Sequence, residues 1–285
     1  MKIVTYNVGL LDIRFFGRLI FEFAPNTRAR AKALGENLLD FDCDILVLQE
    51  LYHKKDALQL LDILRLNFKY SLFSKFSHIP NFLGHGLAIF SKYPFSATQD
   101  IKFKQQLVDE GIFGPKGFLA ATIDIPLLGN VFLINTHTSA GGFFQHPESE
   151  KTEACRHAQL MQIVNVSQDS GLNSIIAGDL NCGIEASAKN FNSMLENDFK
   201  SVDNISNNVE KGPTWDPLNL LNICSPHKTS PPQRIDHILF SNNFTKIIEV
   251  NSVTRCFTNT LNVSGNLHTL SDHYGIAVEF DGIHK

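Results

Sequence analysis

The stretch Ser174-Ile175-Ile176-Ala177-Gly178-Asp179-Leu180-Asn181 shows a pattern that recurs along this chain, in which a short apolar run ends in polar side chains. A short apolar run of this length is typical of a buried strand. Asp179 and Asn181 come directly after it, where the strand would end. The stretch therefore predicts a buried strand with oxygen-bearing side chains at its carboxyl end.

Five further places join an apolar run to polar side chains in the same way. In chain order they are Asn7 after residues 3–6, Glu50 after residues 45–49, His137 after residues 132–136, Asp236 and His237 before residues 238–240, and Asp272 and His273 before the run at 274–280. Aligned strands would bring these groups together. We expect them at one rim of a sheet sandwich, where loops usually build sites.

The order of the elements predicts an α/β fold. Strand patterns cover residues 3–7, 44–49, 86–91, 118–125, 130–136, 174–179, 235–241, 247–254 and 274–280, and helical patterns cover residues 28–40, 54–66 and 149–168. The least regular stretches are residues 9–25, 141–147 and 204–232. We expect a four-layer sandwich in which two packed mixed β-sheets are flanked by helices, and a single domain over residues 1–285.

Composition narrows the classes of function. The 285 residues are 43% hydrophobic and 19% charged, so a large core can form, and the net charge of -4 argues against a nucleic-acid-binding surface. The five cysteines include no C-x-x-C pair, which predicts reduced thiols. We find no Sec-type signal and no membrane span, and expect a protein that is cytosolic or exported by a route without a signal, peripheral on membranes.

The residue types at the rim indicate metal-assisted hydrolysis of a phosphate ester. Carboxylate and amide oxygens suit Mg²⁺, or Mn²⁺, better than zinc. A hard cation polarises a phosphoryl oxygen and stabilises the charge of the transition state. A histidine can take a proton from the attacking water, and a carboxylate on its other nitrogen fixes the tautomer.

Six motifs together resemble the endonuclease/exonuclease/phosphatase superfamily, in the family order and over almost the whole chain. They are Tyr6-Asn7, Leu48-Gln49-Glu50, Asn135-Thr136-His137, Gly178-Asp179-Leu180-Asn181, Arg234-Ile235-Asp236-His237 and Ser271-Asp272-His273. Each motif is weak alone, but all six in order are specific. The resemblance implies a DNase I-like fold.

The same resemblance implies a role for each matched residue. Asn7 and Glu50 would hold the divalent cation, and Asp272 would support the metal or the base. His137 would contact the phosphoryl group, while Asp179 and Asn181 would position the phosphate and the nucleophile or leaving group. His273 would be the general base, oriented by Asp236. For His237 we expect structural packing.

Three segments are similar to neutral sphingomyelinases: residues 26–31, residues 86–94 followed by 114–119, and residues 212–217. This branch implies hydrolysis of sphingomyelin, or a related choline phospholipid, to ceramide (or the lipid alcohol) and phosphocholine. Lys116, in the second segment, would bind the substrate phosphate or order the rim. The alternative is a solvated lysine in a turn.

Phenylalanine is unusually frequent, with 23 residues against one tryptophan. Phe143 and Phe144 lie in a glycine-containing loop six residues after His137, and we expect them to contact a phospholipid membrane, although covering the core is the alternative.

No protein partner is indicated by the sequence. The rival functions are a nuclease or inositol-polyphosphate phosphatase of the same superfamily and, more distantly, a catalytically inactive membrane-binding module.

Overall fold

The computed structural model describes residues 1–15, 18–77, 83–142, 144–223, 225, 227–263 and 265–283. In chain order the strands are β1 (Lys2–Asn7), β2 (Asp12–Phe15), β3 (Arg18–Glu22), β4 (Ile45–Gln49), β5 (Tyr70–Phe73), β6 (Ala88–Ser91), β7 (Phe95–Lys102), β8 (Gly117–Ile125), β9 (Gly129–His137), β10 (Asn173–Asp179), β11 (Phe199–Ser201), β12 (Asp236–Ser241), β13 (Ile248–Cys256), β14 (Thr260–Val263), β15 (Asn266–Thr269) and β16 (Gly275–Gly282). The helices are α1 (Thr27–Asp40), α2 (Lys54–Leu64), α3 (Val108–Phe113), α4 (Glu150–Ser170), α5 (Ala188–Glu196), α6 (Val202–Ile205) and a 3-10 turn at Phe244–Lys246.

Two six-stranded sheets form the centre of the fold. The first has the order β13-β16-β1-β4-β6-β5, and the second has the order β11-β12-β10-β9-β8-β7. Both are mixed, because β1 pairs with β4 in parallel and β9 pairs with β10 in parallel, while the other pairs within the two sheets are antiparallel. The predicted sandwich of two mixed sheets is confirmed.

The apolar residues divide into one inner and two outer cores. The inner core joins the facing sides of the two sheets through residues such as Ile3, Ile89, Leu133 and Ile238. The outer cores pack α1 and α2 against the first sheet, and α4 and α5 against the second. Successive strand residues point to opposite faces, so strands buried on both sides read as continuous apolar runs.

The strand register brings the polar motif residues to one edge of the sandwich. In the second sheet Asp179 is opposite His137 on one side and Asp236 on the other. In the first sheet Asn7 is opposite Gln49. A buried hydrogen bond of 2.7 Å from Gln49 Nε2 to Asn135 Oδ1 joins the two sheets close to this edge.

All nine predicted strands and all three predicted helices are present, with ends within two residues of the expected positions. The stretch 9–25, predicted as irregular, contains the hairpin β2–β3. The edge strand β7 was also not predicted, because its residues are mostly exposed and form no apolar run. In the part of the chain that is described, no helix combines the length and apolarity needed to cross a bilayer.

Candidate active site

Asn7 ends β1 and Glu50 follows β4, the parallel neighbour of β1, so both residues lie at the same edge of the first sheet. Glu50 has a left-handed backbone conformation (φ 61°) immediately after β4. The Asn7 amide donates to Glu50 Oε1 at 3.2 Å and to Asp179 Oδ2 at 2.9 Å. Asn7 therefore connects the carboxylates of the two sheets. Left-handed non-glycine residues are uncommon and concentrate at functional sites.

His137 stands between these carboxylates and a buried lysine. Its Nε2 atom is 3.6 Å from Asp179 Oδ2 and 3.9 Å from Glu50 Oε1. Lys116 Nζ lies 2.8 Å from the same nitrogen. Burial, and then the positive charges of Lys116 and His273, hold the pKa of His137 well below its usual range. The lowered pKa favours the neutral ring, which carries one N–H group, on Nδ1 or on Nε2 depending on the tautomer.

His273 and Asp236 form a buried pair on the other side of Asp179. His273 Nδ1 lies 2.8 Å from Asp236 Oδ2, and its Nε2 atom is 3.9 Å from Asp179 Oδ2. Burial lowers the pKa of His273, but the negative charge and hydrogen bond of Asp236, followed by Asp179 and Asp272, raise it well above its usual range. The pair leaves Nε2 facing the cleft, as a general base requires.

Two carboxyl groups at this edge of the sandwich have raised pKa values, because burial and neighbouring negative charges disfavour their ionised forms. Burial and then the negative charge of Asp272 raise the pKa of Glu50 to about 7, against lowering by Lys116, His273 and Asn7. Burial and then Asp236 raise the pKa of Asp179 to about 6. Carboxylates packed together in this way bind a cation favourably, because its charge offsets both the burial and the mutual repulsion.

The donor chemistry fits a hard divalent cation. Asp179, Asp236 and His273 each offer a ligand atom within 4.8 Å of the others, so this buried cluster could hold a metal. The 2.8 Å contact between Asp236 and His273 Nδ1 favours a different role for that pair, the orientation of a base. The alternative oxygen set of Glu50, Asp272 and Asn7 matches the preference of Mg²⁺ for carboxylate and amide oxygens. These side chains fit such an ion.

The edge opens into a cleft with a cavity volume of about 210 Å³. Six carboxyl residues lie among its described lining residues: Glu50, Asp109, Glu110, Glu148, Asp179 and Asp272. Among these described lining residues Lys116 is the single lysine, and none is an arginine. The walls also carry apolar residues, including Leu11, Ile13, Phe23, Leu83 and Phe113. The lining of the cleft thus combines carboxyl groups with apolar side chains.

The structure brings together most of the residues that the sequence indicates. Asn181 lines the cleft, and its backbone N–H donates to Asp179 Oδ1 at 2.9 Å. Asp272 also lines the cleft and accepts a hydrogen bond from Ser271 Oγ at 3.0 Å. Lys116 is buried, so it is not the solvated lysine of the alternative interpretation. His237 packs on Phe191, as expected for a structural histidine.

Of the two phenylalanines of the loop after His137, the structure describes only Phe144. Phe144 is 77% exposed and is not among the residues that line the cleft. Phe143 lies outside the described residues, so its predicted membrane contact stays a prediction. Phe21 and Phe23 are partly buried and pack edge to face, with ring centroids 4.7 Å apart.

Sequence reasoning missed the groups that hold the site in place. Thr214 Oγ1 accepts hydrogen bonds from the backbone N–H groups of Ile235 and Asp236, at 3.0 and 3.1 Å, and so fixes the start of β12. The neighbouring Trp215 bridges to His273. Both belong to the noted segment 212–217, but their contacts are with distant residues and leave no local pattern.

Comparison with known proteins gives a family match over nearly the whole chain. The sequence model of the Endonuclease/Exonuclease/phosphatase family matches residues 4–273. A curated relative is the inositol phosphosphingolipids phospholipase C of Schizosaccharomyces pombe, 29% identical over 161 residues, which are 53% of this chain and 36% of the relative. The match thus spans about a third of that relative's length.

Solved structures of bacterial proteins share the fold. Sphingomyelinase C from Streptomyces griseocarneus superposes with a TM-score of 0.74 at 19% identity, covering 99% of each chain. A beta toxin variant from Staphylococcus aureus, solved with bound magnesium ions, superposes with a TM-score of 0.74 at 20% identity, covering 97% of this chain and 98% of the toxin. At these identities the likeness shows the fold alone.

Proposed function

This chain belongs to the endonuclease/exonuclease/phosphatase family, and from that premise we propose that it is an Mg²⁺-dependent (or Mn²⁺-dependent) phosphodiesterase. Its proposed substrate is sphingomyelin, or a related choline phospholipid, which it hydrolyses to ceramide (or the lipid alcohol) and phosphocholine. We further propose that the chain acts as one catalytic domain. The family match and the likeness to a sphingomyelinase support the proposal.

One observation carries the proposal. Residues from distant parts of the chain converge on Asp179: the Asn7 amide at 2.9 Å, His137 Nε2 at 3.6 Å and His273 Nε2 at 3.9 Å. Glu50 is 3.9 Å from the same His137 nitrogen. A single phosphate could therefore meet the proposed base, the charge-stabilising histidine and the proposed metal ligands together.

Each residue has a defined role in the proposed reaction. A bound divalent cation, held by Glu50 with Asn7 and Asp272, would polarise a phosphoryl oxygen. His273 Nε2 takes a proton from water as the water oxygen bonds to phosphorus and the bond to the lipid oxygen breaks. The lipid oxygen leaves as an alkoxide and takes a proton from solvent water, and the proton on His273 Nε2 returns to solvent. Asp236 keeps the proton of His273 on Nδ1 and so keeps Nε2 available.

Further side chains would handle the phosphate itself. His137, with Lys116 beside it, donates to the phosphoryl oxygens as negative charge develops on them. Asp179 and Asn181 position the attacking water or the leaving oxygen. The buried Lys116 contributes positive charge to this part of the cleft, which supports a role at the substrate phosphate.

The charge of the cleft separates the candidate substrates. One lysine and no arginine among the described lining residues, against six carboxyl groups, would repel a nucleic-acid backbone or an inositol polyphosphate. A single phosphodiester with a cationic headgroup fits this balance far better. The acidic lining therefore supports a choline phospholipid over the nuclease and polyphosphatase alternatives.

The test of this function is a substrate panel analysed by mass spectrometry. We expect phosphocholine release from sphingomyelin vesicles in Mg²⁺, no release in excess EDTA, and at least 100-fold slower turnover of abasic DNA and inositol polyphosphates. The panel includes an inositol phosphosphingolipid, because the curated relative is a phospholipase C for that class by name. Faster release of inositol phosphate than of phosphocholine would contradict the headgroup assignment and favour this second candidate.

We also propose that the cleft faces a membrane during catalysis. Exposed apolar side chains lie on the segments that surround it: Leu19 and Ile20 on β3, Val108, Ile112 and Phe113 on α3, and Phe144. Phe113 also lines the cleft, and its backbone carbonyl accepts from Leu83 N–H at 2.8 Å. This arrangement would place the cleft mouth against the headgroups.

Replacing Phe144 and Ile20 by serine should weaken binding to sphingomyelin vesicles. Each side chain transferred from water to lipid contributes about 1.5–3 kcal/mol, so we expect the partition coefficient to fall by about tenfold or more per residue. Vesicle sedimentation measures it. A water-soluble short-chain substrate should be hydrolysed at the wild-type rate.

Leu127 provides the matched control for this experiment. It is 86% exposed in the turn between β8 and β9 and is absent from the cleft lining. Leu127→Ser should leave vesicle binding unchanged. Equal losses in the control and in the double variant would show that general surface hydrophobicity, and not this face, controls membrane binding.

A further inference from the structure

Arg30 is a fully buried cation near the start of α1. A guanidinium group has five N–H donors, and here five hydrogen bonds reach backbone carbonyls. Nε donates to Pro25 O at 3.0 Å, Nη1 to Val8 O at 3.3 Å and Leu270 O at 2.8 Å, and Nη2 to Gly9 O at 2.6 Å and Ala24 O at 3.0 Å. Such saturation of a buried guanidinium fixes every segment that it touches.

Two of these segments carry proposed metal ligands. Val8 and Gly9 follow Asn7 directly, at the end of β1. Leu270 stands two residues before Asp272, in the approach to β16. The Arg30 side chain thus connects the turn after β1, which follows the proposed ligand Asn7, to the turn before β16, which contains the proposed ligand Asp272. The two turns are some 260 residues apart in sequence.

The contacts continue from these turns to the ligand side chains. Gly9 N–H donates to Asn7 Oδ1 at 3.0 Å, which orients the Asn7 amide. Gly9 also has a left-handed backbone (φ 55°), and a Cβ atom placed there would lie 2.1 Å from Asp272 Oδ1. The Gly9 backbone therefore packs directly against the Asp272 carboxylate, and its position sets that of the carboxylate.

Charge supports the same arrangement. Burial lowers the pKa of Arg30, while the negative charge of Asp272 is the largest influence that raises it, followed by Tyr6, Glu22 and Glu50. The guanidinium group therefore stands behind the acidic edge and offsets part of its repulsion. It does so without occupying the cleft, because Arg30 is not among the residues that line it.

We propose that Arg30 is a positioning residue that holds Asn7 and Asp272 at the spacing required to bind the divalent cation. This inference rests on the proposed metal dependence. Lysine cannot replace arginine here, since one ammonium nitrogen offers three donors from a single point and cannot span carbonyls in both turns.

The test is Arg30→Lys, which keeps the positive charge and removes the planar set of five N–H donors. We expect the dissociation constant for Mg²⁺, measured by titration calorimetry without substrate, to rise about 10- to 100-fold, as for loss of the groups that orient metal ligands. The Mg²⁺ concentration for half-maximal hydrolysis should rise in parallel. The kcat at saturating Mg²⁺ should stay within about threefold of the wild type. Arg28→Lys, an exposed position on the same helix, should leave both constants unchanged.

A second variant covers the case in which Arg30→Lys does not fold. Gly9→Ala disturbs the same connection from the backbone side and should also weaken Mg²⁺ binding, because the new Cβ displaces Asp272. Unchanged Mg²⁺ affinity in either folded variant would overturn the inference, as would a lower kcat with unchanged Mg²⁺ affinity. A wild-type chain that binds no Mg²⁺ would overturn both this inference and the proposed metal dependence. If the wild type requires Mg²⁺ and Arg30→Lys binds Mg²⁺ with the same affinity, only the role of Arg30 is overturned.

Discussion

His273→Gln should lower kcat for sphingomyelin hydrolysis by about 10²- to 10⁴-fold, the usual contribution of a general base. Glutamine can keep a hydrogen bond to Asp236 but cannot take a proton from water. The Nε2 atom that would take it is 3.9 Å from Asp179 Oδ2 and faces the cleft. Steady-state kinetics at saturating Mg²⁺ measures the loss.

His157→Gln is the matched control, because His157 is exposed on α4. Its kcat and its melting temperature should equal those of the wild type. The His273 variant should still fold and bind Mg²⁺ with similar affinity, but it should melt at a lower temperature, because the buried Asp236 carboxylate loses its cationic partner. Near-normal turnover in folded His273→Gln would remove His273 as the base and, with it, the proposed mechanism.

The pH profile of Asp236→Asn tests the pairing itself. Asp236 is the strongest influence that raises the pKa of His273, and the base acts only when deprotonated. Removing the negative charge of Asp236 lowers this pKa, so the acidic limb of kcat/KM should move to lower pH. The plateau should fall as well, because an amide at position 236 no longer selects the tautomer with a free Nε2. An acidic limb that stays in place would show that another group controls it.

Glu50→Gln should lower kcat/KM by about 10³-fold, through loss of about 4 kcal/mol of transition-state stabilisation that the proposed cation would supply. Glutamine keeps the oxygen that accepts from the Asn7 amide but lacks the negative charge that a divalent cation needs. Kinetics over a range of Mg²⁺ concentrations, together with calorimetry, separates weak metal binding from slow chemistry. Glu36→Gln, at an exposed position on α1, is the control and should have no effect.

The stability of the same variant provides an independent check. The pKa of Glu50 is raised to about 7 in the folded protein, first by burial and then by Asp272. Because the carboxyl pKa is higher in the folded protein than in the unfolded chain, ionisation of Glu50 lowers the free energy of unfolding. This loss of stability grows as the pH rises from about 4.5 to about 7 and is complete above that pH. Glu50→Gln should therefore melt at or above the wild-type temperature in EDTA at pH 8. We expect Mg²⁺ to raise the melting temperature of the wild type and to leave that of Glu50→Gln unchanged. A lower melting temperature in EDTA would contradict the electrostatic account.

Much of the site could be predicted because its residues lie at the ends of apolar strands. Asp179 and His137 end parallel neighbouring strands, so the register that pairs them follows once the strands align. Lys116 was harder to assign, since a lysine before a glycine is equally typical of a solvated turn. Its burial against His137 depends on how β8 pairs with β9, where Gly117 is opposite His137.

The sequence by itself determined the nine apolar strands, the three longest helices and the polar groups at the strand ends, because apolar periodicity and strand-end chemistry are local properties of the chain. Only the tertiary structure decided which of those groups meet, how acidic the cleft is, and what holds its edge together. The five acceptors of Arg30 are backbone carbonyls from residues 8–9, 24–25 and 270. Every residue carries such a carbonyl, so no residue type marks these positions in advance, and only the packed fold selects them.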